Sequence, residues 1–356
     1  MIFLINVIIS CGYLYITRNV KKVSLLYFFP IIFLWTFILG FQYDVGTDYF
    51  SYLNIYNSEG ELNRYFHKGE FLFFYFISFL KIFSKNGQIF FVFLSLFESI
   101  FFYHYVKLMI ENNLINKKKL SLYIFLFLCF GTNFYNQMNV IRQYFNIYLL
   151  SISTFYIYNR NIFKYIIVFL FGVNIHRSFL LMIPFYLFRY ILKFLNSKTL
   201  RFLIFVAFLL NFLPIIEILK NIFLHIPQYS HYVESSYLKE LGMAQKITKF
   251  IYLPYYLSVC SLVKKQGNSI KQFMLKIGLV SYIIKIFCLK LSVTNRIGEY
   301  FTLLAIYPIY LLLEKYIKKK DYINLAILLS IIIGLFVIKV IIFPKGEYLY
   351  QSYFFN

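Results

Sequence analysis

Ionisable side chains beside apolar runs are the residues of this chain best suited to chemistry, because charge is costly in or near hydrocarbon. The segment 40–49 carries Asp44 and Asp48 directly after an apolar run. A carboxylate at this position is suited to act as a general base. The alternative interpretation is that Thr47 or Asp48 caps a short helix that runs through Tyr56.

A second segment, 139–143, places Asn139, Arg142 and Gln143 on one helical face, because their spacing is i, i+3 and i+4. Three hydrogen-bonding groups on one stripe of an otherwise apolar helix indicate that this stripe faces protein or a polar cavity. The alternative is an arginine whose head group extends to the membrane interface.

Two further segments contain His176 with Arg177, and Arg296 with Glu299. His176 is a second candidate for a general base, although it is also placed to cap the carbonyl groups at the end of a helix. Arg296 and Glu299 have the i,i+3 spacing of a simple ion pair on a helix surface, which is the alternative to a substrate contact.

Arg142, Arg177 and Arg296 together predict a binding site for an anionic headgroup, since guanidinium binds phosphate bidentately and stays charged. The five histidines are dispersed, and the sequence contains no DxD or HExxH motif. We therefore expect neither a metal nor a cofactor, and a pyrophosphate leaving group would be stabilised by the arginines instead. The sequence also lacks a Walker or GxGxxG motif, which argues against nucleotide-driven chemistry.

The composition identifies the kind of protein that must position these residues. Hydrophobic residues make up 61% of the 356 residues and charged residues 14%, whereas soluble domains are about 45–50% apolar and about 25% charged. This composition excludes a soluble enzyme, a disordered chain and a secreted disulfide scaffold. The net charge of +22 is explained by lysine- and arginine-rich cytoplasmic loops, so no nucleic-acid partner is expected.

A membrane-crossing helix needs about 20 mostly apolar residues, and this criterion predicts an all-α polytopic protein with about twelve crossings. The first apolar run is expected to stay on the protein as a membrane span. The predicted spans lie near 2–17, 24–41, 88–107, 120–138, 143–158, 162–175, 179–195, 202–219, 250–263, 272–290, 298–314 and 322–343.

The stretch 70–85 decides the sidedness of the remaining chain. It is short and carries Glu70, Lys81 and Lys85. If it crossed the membrane, the triple lysine 117–119 and most later basic loops would face outward, against the positive-inside rule. We therefore interpret 70–85 as a re-entrant or interfacial helix.

With this topology both termini lie outside, together with the two longest loops, near 42–69 and 220–249. The chain is predicted to form one integral membrane domain over 1–356. In a protein whose chain lies almost entirely in the membrane, the extracytoplasmic face is where a polar substrate would bind.

Five motifs follow one another along the chain: GFQYDVGTDYFSY after the second span, Glu70 with its aromatic run, NVIRQ, HRS and NRIGEYF. Their order and spacing resemble the EpsG-like family of Wzy-type polysaccharide polymerases over roughly 40–310. Many relatives have arginine where this sequence has Gln42.

The resemblance implies a bacterial inner-membrane enzyme that polymerises O-antigen or exopolysaccharide repeat units carried on undecaprenyl pyrophosphate. Asp48 or His176 would take the acceptor's proton at the periplasmic face, and Arg142, Arg177 and Arg296 would hold the pyrophosphate. Membrane lipids, a chain-length regulator and a flippase are the expected partners. Supporting roles are expected for Asp44, Glu70, Asn139, Gln143 and Glu299.

Two alternatives remain at this point. An O-antigen ligase, or another membrane glycosyltransferase that uses a polyprenyl-linked sugar, also needs arginines and a base at this face. A flippase for the lipid-linked repeat unit is the non-enzymatic alternative, and it would need charges along the middle of the membrane. Most predicted spans have none there, with Glu98 the chief exception, which favours catalysis.

Overall fold

The computed structural model describes residues 1–131, 133–213, 241–264, 269–290 and 292–355. Within these ranges every regular element is helical, apart from one isolated antiparallel bridge between Gln42 and Ser352. The predicted all-α class is therefore confirmed. Of the predicted outer loop at 220–249, residues 220–240 lie outside the described part of the chain.

The first of two compact units contains residues 1–186 and 326–356. The predicted outer segment 42–69 contributes two of its helices. The helices that lie wholly in this unit are α1 (Ile2–Ile16), α2 (Leu25–Gly40), α3 (Tyr49–Asn57), α4 (Glu59–His67), α5 (Phe71–Phe83), α6 (Gln88–Glu111), α7 (Leu120–Cys129), α8 (Ile141–Tyr158) and α9 (Ile162–Ile175). They are followed by the 3-10 helix Arg177–Leu187.

The second unit contains residues 187–325. The stretch 322–325 begins one more helix, α17 (Tyr322–Val337), which continues into the residue range of the first unit. The other helices of the second unit are α10 (Phe188–Phe194), α11 (Ser197–Leu210), α12 (Met243–Phe250), α13 (Leu253–Val259), α14 (Ile270–Cys288), α15 (Ser292–Glu299) and α16 (Ile306–Lys319).

Side-chain caps explain where several helices begin. The Ser24 hydroxyl accepts a hydrogen bond from the third residue of α2, and the Asn161 and Asn196 side chains do the same for α9 and α11. Ser269 caps α14 in this way. Each cap satisfies one of the backbone N–H groups that the first turn of a helix leaves without a partner.

The core of the first unit is built around Trp35, which is buried. Its ring lies 5.1–5.3 Å from the rings of Phe102, Phe127 and Phe134. Its indole N–H donates to the Ser10 hydroxyl at 3.1 Å. Buried aromatic side chains bring a large apolar area into the core, so this cluster ties α1, α2, α6 and α7 together.

Gly278 permits a close approach between two helices of the second unit. A Cβ atom at Gly278 would lie 2.5 Å from the Pro308 ring and 2.9 Å from the Leu304 carbonyl oxygen. Helices α14 and α16 therefore touch through backbone and proline ring. Tyr256 and Tyr282 add a stacked pair with ring centroids 3.5 Å apart.

Two of the described helical segments, Gln88–Glu111 and Tyr322–Ile342, are long and apolar enough to cross a membrane by length and composition. The shorter apolar helices among the described residues are α1, α2, α5 and α9. The predicted count of about twelve crossings is therefore not confirmed and stays a prediction, as does the single integral membrane domain.

Breaks in the predicted spans have local causes. In the predicted span 120–138 the α-helix ends at Cys129, Gly131 adopts a φ of +69°, and a 3-10 helix follows at Tyr135–Met138. The predicted span 179–195 contains Pro184 and begins as a 3-10 helix, since proline disrupts the α-helical hydrogen-bond pattern. Helix α5 has 13 residues, about 20 Å at 1.5 Å per residue, which is shorter than the hydrocarbon core of about 30 Å.

Candidate functional site

A tight turn between α4 and α5 places Glu70 inside the first unit. Gly69 adopts a φ of +76°, which glycine tolerates without strain. The Glu70 N–H donates to the Tyr65 carbonyl oxygen at 2.9 Å, and Glu70 is only 4% exposed. A carboxylate buried in this way requires partners that compensate its charge.

Three partners from α8 and the end of α9 surround the Glu70 carboxylate. Oε2 accepts a charge-assisted hydrogen bond from Arg142 Nη1. Oε1 accepts the Arg177 backbone N–H at 2.9 Å and lies 3.2 Å from His176 Nδ1. Residues 70, 142, 176 and 177, predicted as separate candidates, therefore form one group of contacts, which we call the Glu70 cluster.

Aromatic rings hold the Arg142 guanidinium inside the protein. Its Cζ lies 4.6 Å from the ring centroids of Tyr65 and Phe73, and Nε donates to the Tyr52 hydroxyl at 3.5 Å. The Arg142 side chain is 13% exposed. Its position is thus set by a carboxylate and by cation–π contacts, which are strengthened where water is excluded.

The contacts of Glu70 determine its protonation state. Burial by itself raises the pKa of Glu70, but the His176 hydrogen bond, the Arg142 charge and the Arg177 N–H together lower it to about 2. The carboxylate is therefore ionised at neutral pH and can only accept hydrogen bonds. His176 Nδ1 must then be the donor, and in the neutral ring Nε2 carries the lone pair.

The position of His176 follows from close packing between α8 and α9. A Cβ atom at Gly172 would lie 3.0 Å from Asn146 Oδ1 of α8 and 2.5 Å from the Phe179 ring of the 3-10 helix that follows α9. Asn146 Nδ2 donates to the Gly172 carbonyl oxygen at 3.0 Å and to the His176 carbonyl oxygen at 3.4 Å. The end of α9 is thus attached to α8 one helical turn after Arg142.

Asn139 connects the segment that contains Asp48 to the start of α8. Its Oδ1 accepts from the Thr47 N–H at 2.9 Å and from the Thr47 hydroxyl at 3.0 Å. Gly46 adopts a φ of +77°, and a Cβ atom there would lie 2.8 Å from this oxygen. The predicted helix through Tyr56 is confirmed as α3.

Asp48 directly precedes α3 at the N-cap position, but its side chain makes no capping hydrogen bond. The Thr47 hydroxyl that bonds to Asn139 Oδ1 also lies 3.1 Å from Asp48 Oδ1, and its single proton is donated to only one of these two oxygens at a time. The side-chain capping role offered as the alternative for Asp48 is therefore wrong. Asp44 is exposed, with a φ of +49°.

Arg177 differs from Arg142 in its exposure. It is exposed, and Nη1 donates to the Lys68 carbonyl oxygen at 3.1 Å. The Glu70 turn therefore holds Arg177 at its backbone and at one guanidinium nitrogen. Gln143 is buried in α8.

Arg296 and Glu299 belong to α15 of the second unit. Glu299 Oε2 lies 3.7 Å from Lys285 Nζ and accepts from the Thr302 hydroxyl at 2.8 Å. Arg296 is exposed. Within the described residues no group of three or more His, Cys, Asp or Glu side chains is arranged to hold a metal ion.

A protein-family model described as the EpsG family matches residues 24–355. The chain belongs to the EpsG family. EpsG proteins are Wzy-like polymerases, so the resemblance noted from the motifs is confirmed. No curated protein and no solved structure matches the chain.

Membership of the EpsG family, with the apolar helices, indicates a membrane protein of polysaccharide biosynthesis. In general terms its activity is that of a glycosyltransferase-like polymerase.

Several residues of this EpsG-family site are not evident from sequence. Tyr52, Tyr65 and Phe73 surround Arg142, but in a chain with 35 tyrosines and 46 phenylalanines no pattern distinguishes them. Asn146 had a usable signal, since it follows Arg142 by four residues on the same helical face.

Proposed function

We propose that this EpsG-family protein joins oligosaccharide repeat units carried on undecaprenyl pyrophosphate into O-antigen or exopolysaccharide. The proposed reaction is metal-independent glycosyl transfer at the periplasmic face of the bacterial inner membrane. The observation that carries the proposal is the Glu70 cluster, in which one ionised carboxylate orients a histidine and two arginines.

In the proposed reaction an acceptor hydroxyl of one lipid-linked repeat unit attacks the anomeric carbon of the growing glycan. A new glycosidic bond forms as the bond between the anomeric carbon and the pyrophosphate oxygen breaks. The electron pair leaves with undecaprenyl pyrophosphate. The hydroxyl proton passes to His176 Nε2, since Glu70 fixes the tautomer in which that nitrogen accepts.

Asp48 is the alternative base. It is partly exposed and its carboxylate is not used for helix capping. The His176→Gln variant separates the two candidates. If His176 is the base, this variant lacks the base; if Asp48 is the base, the base is still in place.

The arginines have different parts in the proposal. The exposed Arg177 is the main contact for the leaving pyrophosphate. Arg142 contributes the N–H groups that Glu70 and Tyr52 do not use, since a guanidinium has five. The substrate contact of Arg296 in the second unit rests on the sequence alone, as does the supporting role of Glu299.

The test is the surface glycan profile of a deletion strain that carries wild-type protein, Arg142→Ala or His176→Gln. We expect chain extension to fall about 10²–10³-fold for Arg142→Ala, the usual cost of losing one charge-stabilising contact. A glycan ladder reduced to a single repeat unit would show that export and ligation still operate.

The matched control is Arg64→Ala, which removes an arginine of the same unit whose side chain is 62% exposed. This variant should give a normal ladder. Near-normal polymer from Arg142→Ala at wild-type protein level would overturn the assignment. Loss of every surface repeat unit would favour a flippase or a ligase.

A further inference from the structure

A cavity of about 660 Å³ lies in the second unit between the start of α14 and the end of α16. Three leucines, Leu262, Leu275 and Leu311, form part of its wall. Five lysines also line it: Lys264, Lys271, Lys315, Lys318 and Lys319. We call this cavity the lysine pocket.

The charges of the lysine pocket are not balanced by its own side chains. Among its described lining residues the one acidic side chain is that of Glu314, which lies 3.7 Å from Lys318 Nζ. Four lysines therefore line the same cavity without an acidic side chain there to match them. Clustered ammonium groups repel one another and create a positive potential that attracts an anion.

The walls of the lysine pocket are held in place by backbone contacts. The Gly278 and Pro308 approach joins α14 to α16 about one turn beyond Leu275 and about one turn before Leu311. The Gln272 side chain accepts the Lys264 N–H at 3.0 Å and donates to the Leu262 carbonyl oxygen at 3.2 Å. The capped start of α14 adds the positive end of a helix dipole.

We propose that the lysine pocket binds the phosphate-bearing headgroup of an anionic membrane phospholipid. Phosphate matches the ammonium groups, and the leucines match the first carbons of an acyl chain. Basic pockets between membrane helices on the cytoplasmic side bind anionic lipids in this way. The positive-inside topology predicts that side for these lysines. A soluble phosphate shares the charge but not the apolar contact.

The experiment measures binding of phosphatidylglycerol to the full-length protein in neutral detergent. Phosphatidylcholine and inorganic phosphate are the comparison ligands. Wild-type protein should bind phosphatidylglycerol in preference to both. The triple variant Lys264→Gln, Lys271→Gln, Lys315→Gln should bind it on the order of a hundredfold more weakly, at about fivefold per lysine removed.

The matched control removes three exposed lysines of the first unit, as Lys21→Gln, Lys22→Gln and Lys118→Gln. The control should bind the lipid as the wild type does. Equal weakening in both triple variants would show a non-specific charge effect and overturn the proposal. Binding of inorganic phosphate as tight as that of phosphatidylglycerol would identify a site for a soluble anion and would also overturn the proposal.

A second measurement needs no variant. Wild-type protein is irradiated with a photoactivatable phosphatidylglycerol whose reactive group lies near the glycerol. Crosslinks should map to 269–275 and 311–319, the segments that carry most of the lining residues. Crosslinks spread evenly over the apolar helices would contradict a specific site.

Discussion

The Glu70 cluster of the first unit and the lysine pocket of the second unit differ in whether their charged side chains are compensated by partners of opposite charge. In the Glu70 cluster one buried carboxylate accepts hydrogen bonds from Arg142, His176 and Arg177. In the lysine pocket the described lining residues include five lysines and one glutamate. Compensated charges hold side chains in fixed positions, whereas uncompensated charges are available to a ligand. The first arrangement suits catalysis, and the second suits binding.

The largest expected effect comes from removing the charge of Glu70. Glu70→Gln leaves the Arg142 guanidinium inside the protein without its counter-ion, and breaking a buried pair in this way costs about 3–5 kcal/mol. Thermal unfolding of the purified protein measures the loss. Glu61→Gln is the control, because its pair with Arg64 is exposed and such pairs contribute about 0–1 kcal/mol. Equal unfolding temperatures for the two variants would contradict the comparison.

Lowering the pH is expected to have an intermediate effect on the stability of the folded protein. The pKa of Glu70 is lowered from 4.5 to about 2, so the folded state binds this proton less readily than the unfolded state. Its contribution to stability is therefore complete above about pH 4.5 and is lost as the pH falls through about 2.

Thermal unfolding of wild-type protein and Glu70→Gln, measured from pH 6 to pH 2.5, isolates this contribution. The difference between their unfolding temperatures should stay constant above pH 4.5 and shrink below it. A difference that changes between pH 5 and pH 6 would show that another group titrates with Glu70.

The smallest effect is expected in the lysine pocket. Lys318→Gln removes the partner of Glu314, but the Lys318 side chain is 66% exposed and the pair has i,i+4 spacing. Such pairs contribute about 0.3–0.5 kcal/mol, so the unfolding temperature should change little. A destabilisation as large as that of Glu70→Gln would show that the lysine pocket is structural and would remove the contrast between the two regions.

Local features of the structure could be read from the sequence. The predicted span 162–175 coincides with α9, and the start and end of α1 and α2 are correct to about one residue. Apolar runs and their capping residues lie next to one another in the chain, so these bounds follow from short-range hydrogen bonds and burial.

Two features of the helices were not predicted correctly from the sequence. The predicted span 298–314 is interrupted between Glu299 and Ile306. Asp48, for which helix capping was the alternative interpretation, makes no capping hydrogen bond, and the turn before α3 is bonded to Asn139, 92 residues from Thr47. The contact between Thr47 and Asn139 has no local signal, since it joins two elements that are far apart in the sequence.

The sequence by itself determined that this is an apolar, helical chain of the EpsG family and which charged residues stand beside its apolar runs. Only the tertiary structure decided that Glu70, considered a supporting residue, is the common partner of Arg142 and His176, which lie 72 and 106 residues away. Burial patterns repeat within one helix and are therefore visible in sequence. The partner of a buried charge is set by which helices pack together, and that information is not local.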